Sequence, residues 1–220
     1  MTKTNSKKAL LSSAFALVLS VAMLIGTTFA WFTDTASTAV NKIQAGNLDV
    51  KLMYSTDMVT WKEATEQTKL FDDNALWEPG YTQVVYLKVV NAGNLALKYE
   101  TGFSKNYTSN RGKNVNGDWY RVDNYLKIGT AETETKFANR EAVWAAVAAT
   151  EKTLSKDVML TDGWITLEAG KASKPFAVAI YMPTSVGNEA NASRFRPSSV
   201  SGLGIEVRAT QATVESDSFG

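Results

Sequence analysis

The sequence contains no cysteine and no histidine. Without cysteine the chain forms no disulfide bond and has no thiol chemistry. Without histidine, zinc proteases of the His-Glu-x-x-His type, Ser-His-Asp hydrolases and Cys-His proteases are excluded. Carboxylates, lysine and tyrosine remain as catalytic groups, but no motif brings them together. We therefore expect no catalytic residue, no metal and no cofactor, and a protein that is not an enzyme.

Charge is missing from the one long apolar run of the chain, residues 9–30. Three lysines and no acid precede this run. Thr28 and Ala30 occupy the −3 and −1 positions of a small-x-small cleavage site in front of Trp31. A retained membrane anchor is the alternative, because a run of this length can span a bilayer, but its small and polar residues favour cleavage. We predict an export signal over residues 1–30, cut between Ala30 and Trp31.

The chain that follows the signal is close to neutral. It has 190 residues, of which 20 are basic and 22 are acidic, a net charge of −2. It has no basic stripe, so nucleic acid is not an expected partner, and membrane contact is expected only through the signal. The length fits one domain with a sizeable core. An exported chain without cysteine is typical of a Gram-positive bacterium or an archaeon rather than of a eukaryote.

Residues 31–46 are rich in threonine, serine, alanine and asparagine, with few large apolar side chains after Trp31 and Phe32. Such a segment forms little core by itself, so we predict an extended N-terminal arm. Lys42 in this arm is a candidate for an isopeptide bond to an asparagine or aspartate of a partner subunit, with a nearby carboxylate to move protons. An ordinary exposed lysine is the favoured alternative.

Residues 47–220 show the period-2 alternation of half-buried strands. Strands are predicted near 48–54, 59–61, 81–90, 95–103, 119–128, 164–168, 176–182 and 203–209. The turn residues 91–94 predict a hairpin, and the polar residues 104–118 predict an exposed loop. Near 136–153 the apolar residues recur at helical spacing, which predicts an amphipathic helix that caps one end of the fold; a membrane or partner helix is the alternative. The predicted fold class is an all-β antiparallel sandwich with a helical insertion.

A polar loop after Pro183 is a candidate for an assembly role. Its residues Gly187, Asn188, Glu189 and Asn191 can bridge backbone groups within the loop or on a neighbouring subunit. A plain connecting loop is an equal alternative.

Two other sets of residues have weaker functional interpretations. The acids at 72–73 could belong to a calcium site, but a solvated turn is the favoured interpretation. Five dispersed tryptophans could form a platform for carbohydrate, but packing in the core is the favoured interpretation. These tryptophans are Trp61, Trp77, Trp119, Trp144 and Trp164.

Four sets of residues together carry a resemblance that covers essentially the whole chain. They are the export junction 26–35, the Pro-Gly at 79–80 with the turn 91–95, the loop 181–191, and the stretches 209–212 and 217–220. On these residues the sequence resembles the SipW-dependent biofilm matrix proteins of Gram-positive bacteria, the TasA and camelysin family, and most closely its BsaA-type members.

The resemblance implies a jelly-roll-like β-sandwich that a SipW-type signal peptidase releases from its precursor. It also implies a secreted structural protein, found in the extracellular matrix or at the cell surface, that polymerises head to tail into fibres by donor-strand complementation. The partner is then another copy of the chain, and covalent cross-linking is implied as well. The metalloprotease label of camelysin-like proteins is not expected here, because histidine is missing. The residues that the arm contributes are Trp31, Phe32, Thr33, Asp34, Thr35, Ala36, Val40, Lys42 and Ile43.

An incomplete sandwich gives this mechanism a physical basis. Its open edge exposes backbone donors and acceptors, and a strand from a neighbour satisfies them. Because the contact is head to tail, it need not close and can propagate as a filament. The alternative function is a monomeric cell-surface adhesin or carbohydrate-binding sandwich; an exported hydrolase is least favoured.

Overall fold

The computed structural model describes residues 14–18, 33–37, 48–104, 107–156 and 158–212, with the backbone alone described at 33–37. Within these residues no helix combines the length and the apolar character that a membrane crossing requires. The described strands are β1 (Thr33–Ser37), β2 (Val50–Ser55), β3 (Lys62–Glu63), β4 (Thr82–Asn91), β5 (Leu97–Phe103), β6 (Thr108–Asn110), β7 (Gly112–Lys113), β8 (Trp119–Tyr120), β9 (Lys127–Glu132), β10 (Lys152–Thr153), β11 (Ile165–Leu167), β12 (Phe176–Tyr181), β13 (Ser199–Ser201) and β14 (Ile205–Gln211).

Two antiparallel sheets form the sandwich. The smaller sheet has the order β1-β14-β5-β11, and the larger sheet has the order β10-β9-β12-β4-β2-β3. When the hairpin of β2 and β3 is set aside, the two sheets hold eight strands. If these eight strands are numbered 1 to 8 along the chain, the smaller sheet β1-β14-β5-β11 has the order 1-8-3-6. The larger sheet, read from β4 through β12 and β9 to β10, has the order 2-7-4-5. This is the strand order of a jelly roll, so the predicted all-β sandwich is confirmed.

The core lies between the two sheets and follows from the alternation in the sequence. Because side chains point to opposite faces along a strand, alternate residues of the central strands are buried, and most of them are apolar. The completely buried members of this core include Leu87, Val89, Leu97, Val178, Ile180, Ile205 and Val207. The central strands β4, β12, β5 and β14 are therefore held by burial as well as by hydrogen bonds.

The predicted hairpin at residues 91–94 is wrong. β4 pairs with β2 and β12 in the larger sheet, whereas β5 pairs with β14 and β11 in the smaller one. The turn therefore carries the chain across the sandwich. Asn91 is fully buried there, and its Nδ2 donates to the carbonyl oxygens of Leu95, Leu167 and Glu168. A local turn signal does not distinguish a hairpin from such a crossover.

The segment 104–118, predicted as an exposed loop, is one only in part: residues 115–118 are exposed. It contains β6 and β7, and the side chain of Tyr107 is buried. The Tyr107 hydroxyl donates to the buried carboxylate of Asp123 at 2.6 Å, and Ser109 donates to the other carboxylate oxygen at 2.6 Å. Polar residues are thus buried because they are hydrogen-bonded, which composition does not reveal.

The predicted helical insertion is an α-helix over Arg140–Val147, followed by a 3-10 turn over Ala148–Thr150. Asn139 begins it, because its side-chain oxygen accepts the amide of Ala142 at 2.9 Å. Val143 and Val147 are buried in a cluster with β12 residues that face away from the main core. The helix therefore covers the outer face of the larger sheet and does not cap an end of the sandwich.

Candidate functional site

The N-terminal segment 33–37 forms an edge strand of the chain's own sheet. β1 pairs with β14 in antiparallel register, from Thr33 opposite Thr210 to Ser37 opposite Glu206. β14 is the one sheet partner of β1 among the described residues. Residues 33–37 of the predicted arm are thus extended, and they occupy the first strand position of the jelly roll.

The position of β14, the neighbour of β1 in the sheet, does not depend on β1. β14 pairs along its full length with β5, from Ile205 opposite Phe103 to Gln211 opposite Leu97. Its alternate residues Ile205, Val207 and Ala209 are fully buried in the core. Burial and the β5 ladder therefore keep β14 in place when β1 is absent. Its other edge then presents unpaired amides and carbonyls, which is the template that a further strand requires.

Charged side chains alternate with these apolar residues on β14. Arg208 lies 3.4 Å from Glu206 on its own strand and 3.5 Å from Glu100 on β5. Both acids are largely covered, whereas Arg208 is about one third exposed. The ion pairs hold the three side chains against the face of the sheet, so a strand that docks at the β14 edge meets a fixed surface. Each pair adds at most about 1 kcal/mol.

The structure brings four of the predicted arm residues to this edge and leaves the others undetermined. Thr33, Asp34, Thr35 and Ala36 belong to β1. The predicted cleavage pair Ala30 and Trp31, and the arm residues Phe32, Val40, Lys42 and Ile43, lie outside the described residues. The isopeptide hypothesis for Lys42 therefore stays a prediction.

The polar loop 187–191 forms its own hydrogen-bond network. Asn188–Ala190 is a 3-10 turn. The Glu189 carboxylate accepts the amide of Gly187 at 2.9 Å, and this bond lowers the pKa of that carboxyl group. Asn191 Nδ2 donates to Asn188 Oδ1 at 2.9 Å. All four predicted residues therefore serve the conformation of the loop.

This loop is also tied to the strand pair of β7 and β8. The amide of Val115 donates to the carbonyl of Asn191 at 2.9 Å, and Asn114 Nδ2 donates to the carbonyl of Glu189 at 3.3 Å. Asn114 is itself buried, and its Oδ1 accepts two amides of the turn between β7 and β8. These contacts favour a connecting loop that braces a turn.

A groove of about 780 Å³ opens between the sheets on the side of β11, opposite the β1 edge of the smaller sheet. Tyr99, Leu160, Ile165 and Phe176 supply apolar lining, and Glu132, Asp162 and Lys174 supply charge. Trp164, which directly precedes β11, is 48% exposed. The groove can hold a small apolar or ring-shaped group.

The described residues contain no group of three metal-ligating side chains. Asp72 accepts the amide of Asn74 at 2.9 Å, and Asp73 pairs with Lys69 at 3.2 Å. These bonds are those of a turn, so the solvated-turn interpretation accounts for the two acids.

Sequence reasoning did not single out β14 as the acceptor edge. The signal was present, since Ile205, Val207 and Ala209 alternate with Glu206, Arg208 and Thr210, which is typical of a strand with one buried face. Alternation identifies a face, however, and it does not name the neighbouring strand.

Comparisons of the chain with protein-family models, curated proteins and solved structures find no match. The function is therefore inferred from the jelly-roll strand order and from the chemistry of the β1 edge.

Proposed function

We propose that this protein is a secreted structural subunit that polymerises head to tail by passing β1 to a neighbouring copy. The observation that carries the proposal is the position of β1, the first strand of the jelly roll, at a sheet edge where β14 is its one hydrogen-bonded partner strand among the described residues. A second copy of the chain offers the same five residues for the same register. Donor-strand complementation therefore requires only the β1 strand of one copy and the β14 edge of another.

The composition of β1 makes it easier to displace than any central strand. Its sequence is Thr-Asp-Thr-Ala-Ser, without a large apolar side chain. The strand is therefore held mainly by its ladder with β14, and a ladder bond contributes about 1 kcal/mol net. Five paired residues give a total of a few kcal/mol. Strands β12 and β4, by contrast, are fixed by fully buried apolar residues.

When β1 leaves, the β14 edge loses its hydrogen-bond partners, and regaining such partners favours assembly. The amides and carbonyls of residues 206–210 that pointed at β1 then bind an incoming strand. A β1 strand from a second copy restores the same ladder, so the bonds lost within one molecule are regained between two. Each subunit donates one strand and accepts one. Such a contact is heterologous and propagates as an open filament unless its rotation closes a ring.

Export fits this mechanism as its first step. The arm lies immediately after the predicted signal over residues 1–30, so the membrane segment holds the arm until cleavage after Ala30. A signal peptidase of the SipW type and a location in the extracellular matrix or at the cell surface are the corresponding proposals, carried by the sequence resemblance. The same resemblance supports the proposal that the polymer is a fibre of a biofilm matrix.

Cysteine pairing tests the exchange, because the chain has no cysteine of its own. Thr35 and Arg208 face each other across the β1–β14 ladder, at a separation that suits a disulfide. We expect Thr35→Cys protein mixed with Arg208→Cys protein to form disulfide-linked heterodimers on oxidation. A single chain that carries both substitutions, oxidised while dilute, will stay monomeric in electron micrographs and will form fibres after reduction.

The matched control uses residues that are out of register. Thr33 pairs with Thr210, so Glu206 lies four residues away along β14, about 13 Å. A mixture of Thr33→Cys and Glu206→Cys proteins should therefore remain unlinked. Fibres formed by protein that lacks residues 31–42, or equal cross-linking in both mixtures, would contradict strand exchange.

A monomeric glycan-binding protein is the second candidate function, and the groove beside β11 favours it. An exposed tryptophan next to an apolar cleft is suited to a sugar ring. Saturable binding to a glycan array that Trp164→Ala abolishes, by protein that stays monomeric at every concentration, would support this function over polymerisation.

A further inference from the structure

A second surface of the molecule concentrates positive charge around one aromatic ring. The guanidinium carbons of Arg111 and Arg196 lie 5.0 and 5.6 Å from the centroid of the Trp119 ring, and Lys113 Nζ lies 5.2 Å from it. All three are within the range of cation–π contact. We call this surface, together with the sequence neighbours Arg121, Arg194 and Phe195, the basic aromatic patch.

The fold builds this patch from segments that are distant in the sequence. Lys113 pairs with Trp119 across β7 and β8. On the other side of β7, the amide of Lys113 donates to the carbonyl of Arg196 at 2.8 Å. Gly112 makes the approach possible, since a Cβ there would lie 2.2 Å from the amide nitrogen of Ser198. The patch is therefore held by backbone bonds, and its binding groups are positioned in advance.

The charge of the patch is not neutralised within the described residues. Segments 110–121 and 193–198 contain five basic residues and one acid, Asp118. No basic residue of the patch forms an ion pair with a described residue, although seven ion pairs occur elsewhere in the described structure. The nearby Asp123 is buried and already accepts two hydroxyl groups. Like charges that share one ring repel each other, so a bound polyanion would relieve the repulsion.

The patch also exposes flat apolar surface. Phe195 is 87% exposed, with the Arg194 guanidinium 5.9 Å from its ring, and Trp119 is 49% exposed. Alternating cations and rings are the two components of single-strand nucleic acid binding: the cations contact phosphates and the rings stack on bases. Four of the five basic residues are arginines, whose planar group matches phosphate and also stacks.

We propose that the basic aromatic patch binds single-stranded nucleic acid. A duplex keeps its bases stacked internally and cannot use the rings. Insertion into a membrane is disfavoured, because three cations surround Trp119 and would enter the hydrocarbon with it. The patch lies on β7, β8 and the 193–198 segment, so this inference is independent of β1 exchange.

Fluorescence anisotropy with a labelled 20-nucleotide oligothymidine tests the proposal. Phe195→Ala should weaken binding about tenfold, the effect of losing one stacked base. Arg194→Gln with Arg196→Gln should weaken it further and reduce the slope of log K against log salt by about 1.4, since each phosphate contact on a single strand contributes about 0.7. Both changes are at exposed residues, and circular dichroism will check that the fold is retained.

The matched control removes the same charge elsewhere. Lys156 and Lys171 are exposed and lie outside the patch, so Lys156→Gln with Lys171→Gln should leave the affinity and the salt slope nearly unchanged. Equal weakening by this control would overturn the proposal. So would binding to duplex DNA, to a carboxylated polysaccharide or to vesicles with anionic lipid that is as tight as binding to oligothymidine.

Discussion

Asn91 ties the two sheets together, and its replacement by alanine should destabilise the fold strongly. Its Nδ2 donates to the carbonyls of Leu95 at 2.8 Å, Leu167 at 3.1 Å and Glu168 at 3.2 Å. Its Oδ1 accepts the amide of Gly93 at 3.0 Å. Alanine removes both atoms and fills none of the space, so four backbone groups lose a partner at the crossover from β4 to β5.

The magnitude follows from the burial of each bond. The bond to Leu167 is fully buried, so its carbonyl loses a partner where water does not enter, at a cost of about 2 kcal/mol. The other three bonds are partly buried, and water replaces part of each, which leaves about 0.5 kcal/mol apiece. The expected loss is about 3 to 4 kcal/mol, or about 10 °C in Tm for a domain of this size.

Urea titration and thermal melts of Asn91→Ala will measure this loss, with Asn124→Ala at an exposed position as the control. Asn91→Asp adds a test of charge. A carboxylate facing three carbonyl oxygens is disfavoured, so the pKa of that acid will be raised in the folded state. Its destabilising effect is then largest at neutral pH and diminishes as pH falls through that pKa. A loss below about 1 kcal/mol for Asn91→Ala would refute the claim that the crossover depends on this side chain.

Three further changes have defined outcomes. The hydroxyl of Thr101 is buried without a hydrogen-bond partner among the described residues, so Thr101→Val should stabilise the protein by about 1 kcal/mol in urea titrations; destabilisation would show that the hydroxyl is satisfied. Burial and the bond to Asp123 raise the pKa of Tyr107 above its ordinary value of 10.0. The unfolded chain then loses this proton first, so stability should decline above pH 10, and Tyr107→Phe should flatten that decline in melts at pH 8 and 10.5. Deletion of residues 44–46, in the connection between β1 and β2, should lower the protein concentration at which fibres appear by light scattering, because a shorter connection hinders closure within one molecule; a higher threshold would contradict exchange.

The sequence was sufficient for the fold class because alternation reports burial directly. Ile205, Val207 and Ala209 alternate with polar residues, and β14 has buried and partly exposed positions in the same alternation. Residues 176–180 are apolar throughout, and β12 is buried on both faces because the helix covers its outer side. Alternation does not predict which strands pair with each other, because a strand with one buried face can lie beside many different strands. The turn at 91–94 has the residues of a hairpin, yet β4 and β5 lie in facing sheets. What decides between the two is the buried Asn91 network with residues 167 and 168, which are far away in the sequence.

The candidate sites were predictable to different degrees. The composition of residues 31–46 indicated an extended arm, and β1 is extended, but nothing local pointed to β14 as its partner. The basic aromatic patch was not predictable from net charge, because acids elsewhere cancel it. Arg111 and Arg196 meet at Trp119 only because Gly112 lets two segments approach closely. Long-range packing therefore creates both surfaces.

Closure within one molecule competes with donation to a neighbour, and this competition determines when the proposed fibre grows. The ladder between β1 and β14 is the same in both arrangements, so it favours neither. Because β1 and β14 belong to one chain, β1 meets its own β14 edge at an effective concentration of the order of millimolar, which free protein in dilute solution does not reach. Growth therefore requires either crowding at the cell surface or capture before closure. Capture is open to a newly exported chain, because the membrane segment holds its arm until cleavage while the end of a fibre already presents a bare β14 edge.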